Sequence, residues 1–246
     1  MTWSSARWAV DRYVVGGWNQ YQIEMMKGEA GTMDKIKKEA GTMDKIKNIK
    51  KLTDNRFLNM YEMDARDSKG NPMKYYFASR GKEGELKCAT KKNFAEGVMV
   101  YAVLEEEPDK IVLIRQYRYP IDDYIYEMPA GLVDPMEDVN QTAVREFREE
   151  TGMDLKVVTS GSESCRRPFY TTIGLTDEAV SIVYGYAGGN ATDAFSEDSE
   201  DIEIIIADKD MARDILKNGN VAMKCALLLM QFLQSDRENP FGFLEV

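Results

Sequence analysis

Histidine is absent from the chain. That excludes imidazole chemistry, including Ser-His-Asp triads and Cys-His pairs. Cysteine is scarce: Cys88, Cys165 and Cys225 are far apart and odd in number. They show neither a disulfide framework nor zinc-ligand spacing, which predicts a reducing, cytoplasmic setting. Each reads as a small buried hydrophobe. Long apolar runs are also missing. The strongest candidate, Ala226 to Met230 with Phe232 and Leu233, is too short to span a bilayer, so no membrane partner is expected. The first residues lack the basic region and apolar core of a signal peptide. Positive charge is in deficit, with 32 Lys and Arg against 42 Asp and Glu, a formal net charge of −10. No nucleic acid partner is expected on that balance. A nucleotide is not excluded, because a metal can bridge acidic protein to phosphate. Chemistry is left to carboxylates, metal, Lys, Tyr and Arg.

At 246 residues the chain can bury a substantial core, as one domain or one plus a small addition. Residues 29–37 and 39–47 are the same nine residues, EAGTMDKIK. A repeat this short and isolated is no solenoid. One expectation is that the functional chain starts at Met33 or Met43, the upstream residues being translated leader. The rival is a short helical extension. The reading divides the chain into an atypical extension (1–50), an N-terminal β subdomain (51–92) and a larger main domain (93–246). Phe57 to Met63 and Met73 to Arg80 are strand-like and flank the turn residues 67–71, which predicts a hairpin. Further strands are expected at 97–104, 110–117, 124–128, 155–158, 180–187 and 202–206. Helices are expected at 209–217 and 221–233, with a polar acidic loop at 191–200.

The densest chemistry lies at 131–153. Carboxylates three and four apart share a helix face, so Glu146, Glu149 and Glu150 crowd together. Like charges so close repel unless a cation sits among them, and hard oxygen ligands suit Mg²⁺, with Mn²⁺ as the alternative. Val139, Ala143 and Phe147 give an apolar stripe, with the acidic edge expected roughly opposite. Asp134, Glu137 or Asp138 can cap the start, and Gly152 can supply the left-handed turn at the end. Arg145, four before Glu149, can pair with it.

The segment resembles the Nudix box: Gly131, five residues, Glu137, seven residues, Arg145-Glu146-Phe147, one residue, Glu149-Glu150, one residue, Gly152-Met153. The resemblance implies an α/β (α+β) Nudix fold, a mixed β-sheet sandwiched between helices, here with an N-terminal antiparallel hairpin. It implies a metal site made by Glu146, Glu150, Glu149 and the carbonyl of Ala130. Isopentenyl diphosphate isomerases also resemble Nudix proteins but use histidine ligands, so they are excluded.

Further segments resemble ADP-ribose pyrophosphatases: I-R-Q-Y-R at 114–118, Y-E-M-P-A-G-L at 126–132, G-L-T-D-E at 174–178 and N-G-N-V-A-M-K-C-A-L-L-L at 218–229. The resemblance covers about residues 56 to 235. It implies phosphate or ribose contacts from Arg118 and Arg80, adenine stacking by Phe57 and Tyr75, and backbone contacts from Leu132. Glu178 would be the added catalytic carboxylate, with Glu149 and Arg145 supporting it. The implied activity is Mg²⁺-dependent hydrolysis of a nucleoside diphosphate sugar, ADP-ribose to AMP and ribose 5-phosphate, by a homodimer whose hairpin reaches the neighbour's site. Another nucleotide sugar, a dinucleotide or a non-catalytic ADP-ribose sensor are the alternatives. Many relatives carry Ser-Pro-Gly before the Asp-Glu pair, whereas this chain has Thr172-Ile173-Gly174; Pro168 lies 15 residues past Met153.

Overall fold

The computed structural model describes residues 45–134, 136–195 and 201–246. Most of the tandem repeat, both proposed start sites and the end of the acidic loop lie outside the described residues. Residues 190–195 of that loop carry neither helix nor strand. Strands β1 (Ile46–Lys51), β2 (Asn59–Arg66) and β3 (Pro72–Ser79) form a three-stranded antiparallel sheet. The chain separates into two compact units, residues 45–50 with 62–75, and residues 51–61 with 76–246.

In the smaller unit the expected turn forms as its side chains dictate. Asp67 Oδ1 accepts from the N–H groups of Lys69 and Asn71, each at 2.8 Å. This Asx-type bonding lets a short polar side chain stand in for backbone. Lys74 pairs with Glu62 and Asp64, both at 2.6 Å.

In the larger unit an eight-stranded mixed sheet runs in the order β11-β5-β4-β10-β8, with β6 on β5, β7 on β4 and β9 on β10. The strands are β4 (Gly97–Leu104), β5 (Lys110–Arg118), β6 (Asp123–Glu127), β7 (Ala130–Leu132), β8 (Asp154–Val157), β9 (Phe169–Tyr170), β10 (Ala179–Gly188) and β11 (Ile202–Asp208). Helices are α1 (Lys87–Thr90), α2 (Val139–Thr151), α3 (Lys209–Asn218) and α4 (Met223–Gln234). No helix among the described residues is long and apolar enough to cross a membrane.

Strand β4 is buried from Gly97 to Val103 and serves both faces, as period-two alternation requires. Met99, Tyr101 and Val103 join Ala212, Ile215, Leu229 and Phe232 of α3 and α4. Val98, Val100 and Ala102 join Ala143 and Phe147 of α2. Helices therefore cover both faces, the expected sandwich. Fully burying Phe147 contributes roughly 1.5–3 kcal/mol and anchors α2 to the sheet.

One edge of β4 pairs in parallel with β10 from Gly97 to Leu104. Its other edge changes partner. Gly97, Val98 and Met99 bond to β7, whereas Ala102 and Val103 bond to β5. From Ile114 onward β5 pairs with β6 instead. The sheet forks there.

Several boundaries shift by a residue or two from expectation, and two of the differences matter here. Phe57 lies outside β2, in a bend. Val221 precedes α4 and forms a bridge with Tyr126 instead.

Candidate active site

Helix α2 begins where its side chains can satisfy the exposed N–H groups. Asp138 accepts from the N–H groups of Asn140 and Gln141, and the Gln141 side chain accepts from the Asp138 N–H. This reciprocal capping box terminates the helix cleanly. At the other end Gly152 takes φ 69°, and its N–H donates to the Arg148 carbonyl. A side chain is strained in that conformation.

The acidic residues do not lie on one edge opposite the apolar stripe. Glu150 is three residues past Phe147, so it falls on the buried face and is only 3% exposed. Its Oε2 accepts from the Ala130 N–H at 2.9 Å, which fastens the helix to β7. Glu146 and Glu149 are more open and both accept from Arg145 Nη1, at 2.9 and 3.0 Å.

Arg145 is the hub of the cluster. It also meets Glu137 through Nε at 3.1 Å and Nη2 at 3.0 Å. Hydrogen bonding to Glu137 raises the guanidinium pKa first of all, with Glu146 adding to it. The same bond holds the Glu137 carboxyl below the usual carboxylate range, helped by the Thr142 hydroxyl. Arg145 thus offsets the mutual repulsion of Glu137, Glu146 and Glu149.

A cleft of about 370 Å³ opens beside the fork. Ala130, Gly131 and Leu132 of β7 form one wall with Arg145, Glu146, Glu149 and Glu150 of α2. Gln116 and Arg118 of β5, Lys224 of α4, and Glu178 and Val180 at the start of β10 complete it. The cleft therefore collects all the box carboxylates expected to hold metal, together with Ala130, Leu132, Arg118 and Glu178.

Arg118 Nε donates to Glu127 at 2.6 Å. Glu178 Oε2 accepts from the Thr171 hydroxyl at 2.9 Å, and its Oε1 lies 3.7 Å from Arg80 Nε. Arg80 thus reaches the site through Glu178 without lining the cleft. Phe57 is 64% exposed beneath the Arg56 guanidinium and does not line it either. Tyr75 belongs to the smaller unit, where it is 37% exposed.

Two polar lining residues escaped the sequence reading. Gln116 alternates with Arg118 on one face of β5, a signal available in principle from strand periodicity. Lys224 is the second residue of an apolar helix and lies in the segment 218–229, whose resemblance assigned it no role. Its ammonium has no ion pair among the described residues, whereas Arg118 and Arg145 both meet carboxylates.

The donors suit a divalent cation chemically, being carboxylate and carbonyl oxygens. Gly131 shows how closely they are packed. A Cβ there would sit 1.8 Å from Glu146 Cδ, so only a bare Cα admits that carboxylate. Among the described residues, no three His, Cys, Asp or Glu side chains stand together in an arrangement that could hold a metal ion. The three thiols are free. Cys225 is buried as expected, and Cys88 and Cys165 are partly exposed.

Comparison with known proteins agrees with this geometry. Residues 93–212 match the NUDIX domain model. The ADP-ribose pyrophosphatase of Saccharomyces cerevisiae is 24% identical over 159 residues, covering 63% of this chain and 66% of that protein. The ADP-ribose pyrophosphatase of Bacillus subtilis is 39% identical over 85 residues, covering 35% of this chain and 42% of that protein. The chain thus spans less than two thirds of the length of these curated relatives. A solved structure described as an ADP compounds hydrolase superposes with a TM-score of 0.56 at 19% identity, covering 75% of this chain and 89% of that one. That likeness shows the fold. With the box, the forked sheet and these matches in agreement, residues 93–212 are a domain of the Nudix family.

Proposed function

We propose that this chain hydrolyses the diphosphate bond of a nucleoside diphosphate sugar, ADP-ribose giving AMP and ribose 5-phosphate. The observation that carries the reading is the single cleft that holds Glu146, Glu149, Glu150, Glu178 and Arg118 together. Relatives whose names state that activity support it.

Glu146, Glu150, Glu149 and the Ala130 carbonyl would hold Mg²⁺, or Mn²⁺ in its place. When bound, such an ion neutralises diphosphate charge and makes water a better nucleophile. Arg145 orients Glu146 and Glu149. Glu178, held by Thr171 and close to Arg80, takes a proton from the attacking water. The water oxygen bonds to one phosphorus, and the bridging oxygen leaves with the other. Arg118 and Lys224 supply positive charge to the phosphates. The Leu132 backbone lines the same wall, and Arg80 adds a second cation near Glu178.

Phe57 and Tyr75 each expose an aromatic face suited to a purine. We assign them to adenine stacking, in a homodimer whose hairpin serves the neighbouring site. The working compartment is the cytoplasm. The departure at Thr172-Ile173-Gly174 favours a second reading in which the reaction stands but the sugar differs.

The test is turnover of ADP-ribose against a panel of nucleotide sugars and dinucleotides, with and without Mg²⁺, for wild type and Glu150→Gln. The variant should lose at least about a hundredfold in turnover and keep its circular dichroism. Near-normal turnover by the variant would overturn the metal assignment. A wild type inert on the whole panel would overturn the reaction.

A further inference from the structure

We propose that Lys87 and Glu96 are positioning residues that set the placement of Glu178; this rests on the hydrolase reading above. Neither belongs to the box or lines the cleft. Lys87 is buried and Glu96 largely so, and their side chains pair at 2.5 Å with 4% and 14% exposure. A pair so placed loses its hydration and holds only where the geometry is good and further hydrogen bonds satisfy it.

The carboxylate's further bond goes to the residue after Glu178, and the Lys87 backbone reaches the residue before it. Glu96 Oε2 accepts from the Ala179 N–H at 2.9 Å as well as from Lys87. The Glu96 N–H donates to the Ala179 carbonyl at 2.9 Å. On the other side, the Lys87 N–H points to Asp177 Oδ2 at 3.4 Å. Residue 179 is therefore tied to the Glu96 carboxylate and residue 177 to the Lys87 backbone, with Glu178 between them. Asp177 is itself 9% exposed, so the loop has little freedom to drift at that point.

The pair reaches further in both directions. The Lys87 ammonium lies 4.8 Å from the Phe94 ring centroid and 5.5 Å from that of Tyr170. Cation–π attraction and the aromatic walls confine it. Tyr170 precedes Thr171, whose hydroxyl holds the Glu178 carboxylate. The Glu96 carbonyl accepts from the Val133 N–H at 3.0 Å, just after β7. Glu96 thus links the strand that follows Glu178 to the segment that enters the box. Displacement of about 1 Å at a reacting group can cost a hundredfold in rate, so this linkage bears on turnover more than on substrate affinity.

The experiment compares Lys87→Met, Lys87→Arg and Glu96→Asp, each alone and combined with Glu178→Gln. The readouts are kcat, KM and melting temperature with ADP-ribose and Mg²⁺. Lys87→Met and Glu96→Asp should lower kcat by about tenfold or more with KM nearly unchanged. Lys87→Arg should recover part of that loss. In the Glu178→Gln background the same changes should lower kcat no further, because the group they position is already gone.

Losses that multiply in that background, or full kcat in both variants, would overturn the proposal while leaving the hydrolase reading intact. So would a Glu178→Gln enzyme as fast as wild type. Should Lys87→Met fail to melt cooperatively, Glu96→Asp keeps both charges and carries the same test. A wild type inert on every nucleotide diphosphate overturns the hydrolase reading, and this proposal with it.

Discussion

Glu146 lies across Gly131 so closely that a Cβ on the glycine would fall 2.1 Å from the carboxylate oxygen Oε1. The first glycine of the box therefore does more than pair β7 with β4. It is the floor on which a candidate ligand rests. Gly131→Ala should displace Glu146 and lower turnover by about a hundredfold. Titration of Mg²⁺ against activity would show the cause, since the half-saturating concentration should rise. Unchanged metal dependence would mean that Glu146 is not a ligand.

Arg145 and Glu137 give a pH signature. The Glu137 carboxyl is held below its ordinary value of 4.5, first by hydrogen bonding to Arg145. A depressed carboxylate contributes stability that is complete above the ordinary value and lost as pH falls through the folded one. Wild-type melting temperature should fall with acid in that range, and Glu137→Gln should flatten the fall. Equal acid limbs for the two proteins would refute the linkage.

Lys224 separates binding from chemistry. It lines the cleft and makes no ion pair among the described residues. Lys224→Ala should raise KM for ADP-ribose by roughly tenfold and leave kcat near wild type. A fall in kcat at constant KM would place its role in the chemical step instead.

The thiols should report burial directly. Burial pushes the Cys225 pKa up to about 12, and the residue is 1% exposed. A thiol reagent at mild alkaline pH should modify at most two cysteines in the native protein. The third should react only in denaturant. Rapid labelling of all three would contradict the packing of α4 against the sheet.

What the chain revealed before its fold was known followed from local chemistry. The ends of α2 were legible because Asp138 and Gly152 act on backbone within a turn of themselves. Strands β4, β5 and β10 were legible from apolar runs bounded by turns. Glu150 was read on the wrong face, although its offset of three from Phe147 already aligned it with the stripe; charge outweighed spacing. The short strand β7 and the Lys87–Glu96 pair were not legible. β7 exists only through pairing with β4, and the pair owes its role to Ala179, far away in sequence. The Arg145–Glu149 pair was legible from its spacing of four, but not that the same guanidinium also takes Glu137 and Glu146.

The partner change along β4 has a further implication. The acidic wall hangs from β7 and α2, whereas Gln116, Arg118 and Lys224 come from the diverging arm and the helix beyond it. Those two groups share no ladder hydrogen bonds near the cleft. Under the hydrolase reading proposed above, substitution on the second group would change which substrate is held while the carboxylate wall stays fixed by the first. A scaffold divided in this way lends itself to new specificities without the loss of an old reaction.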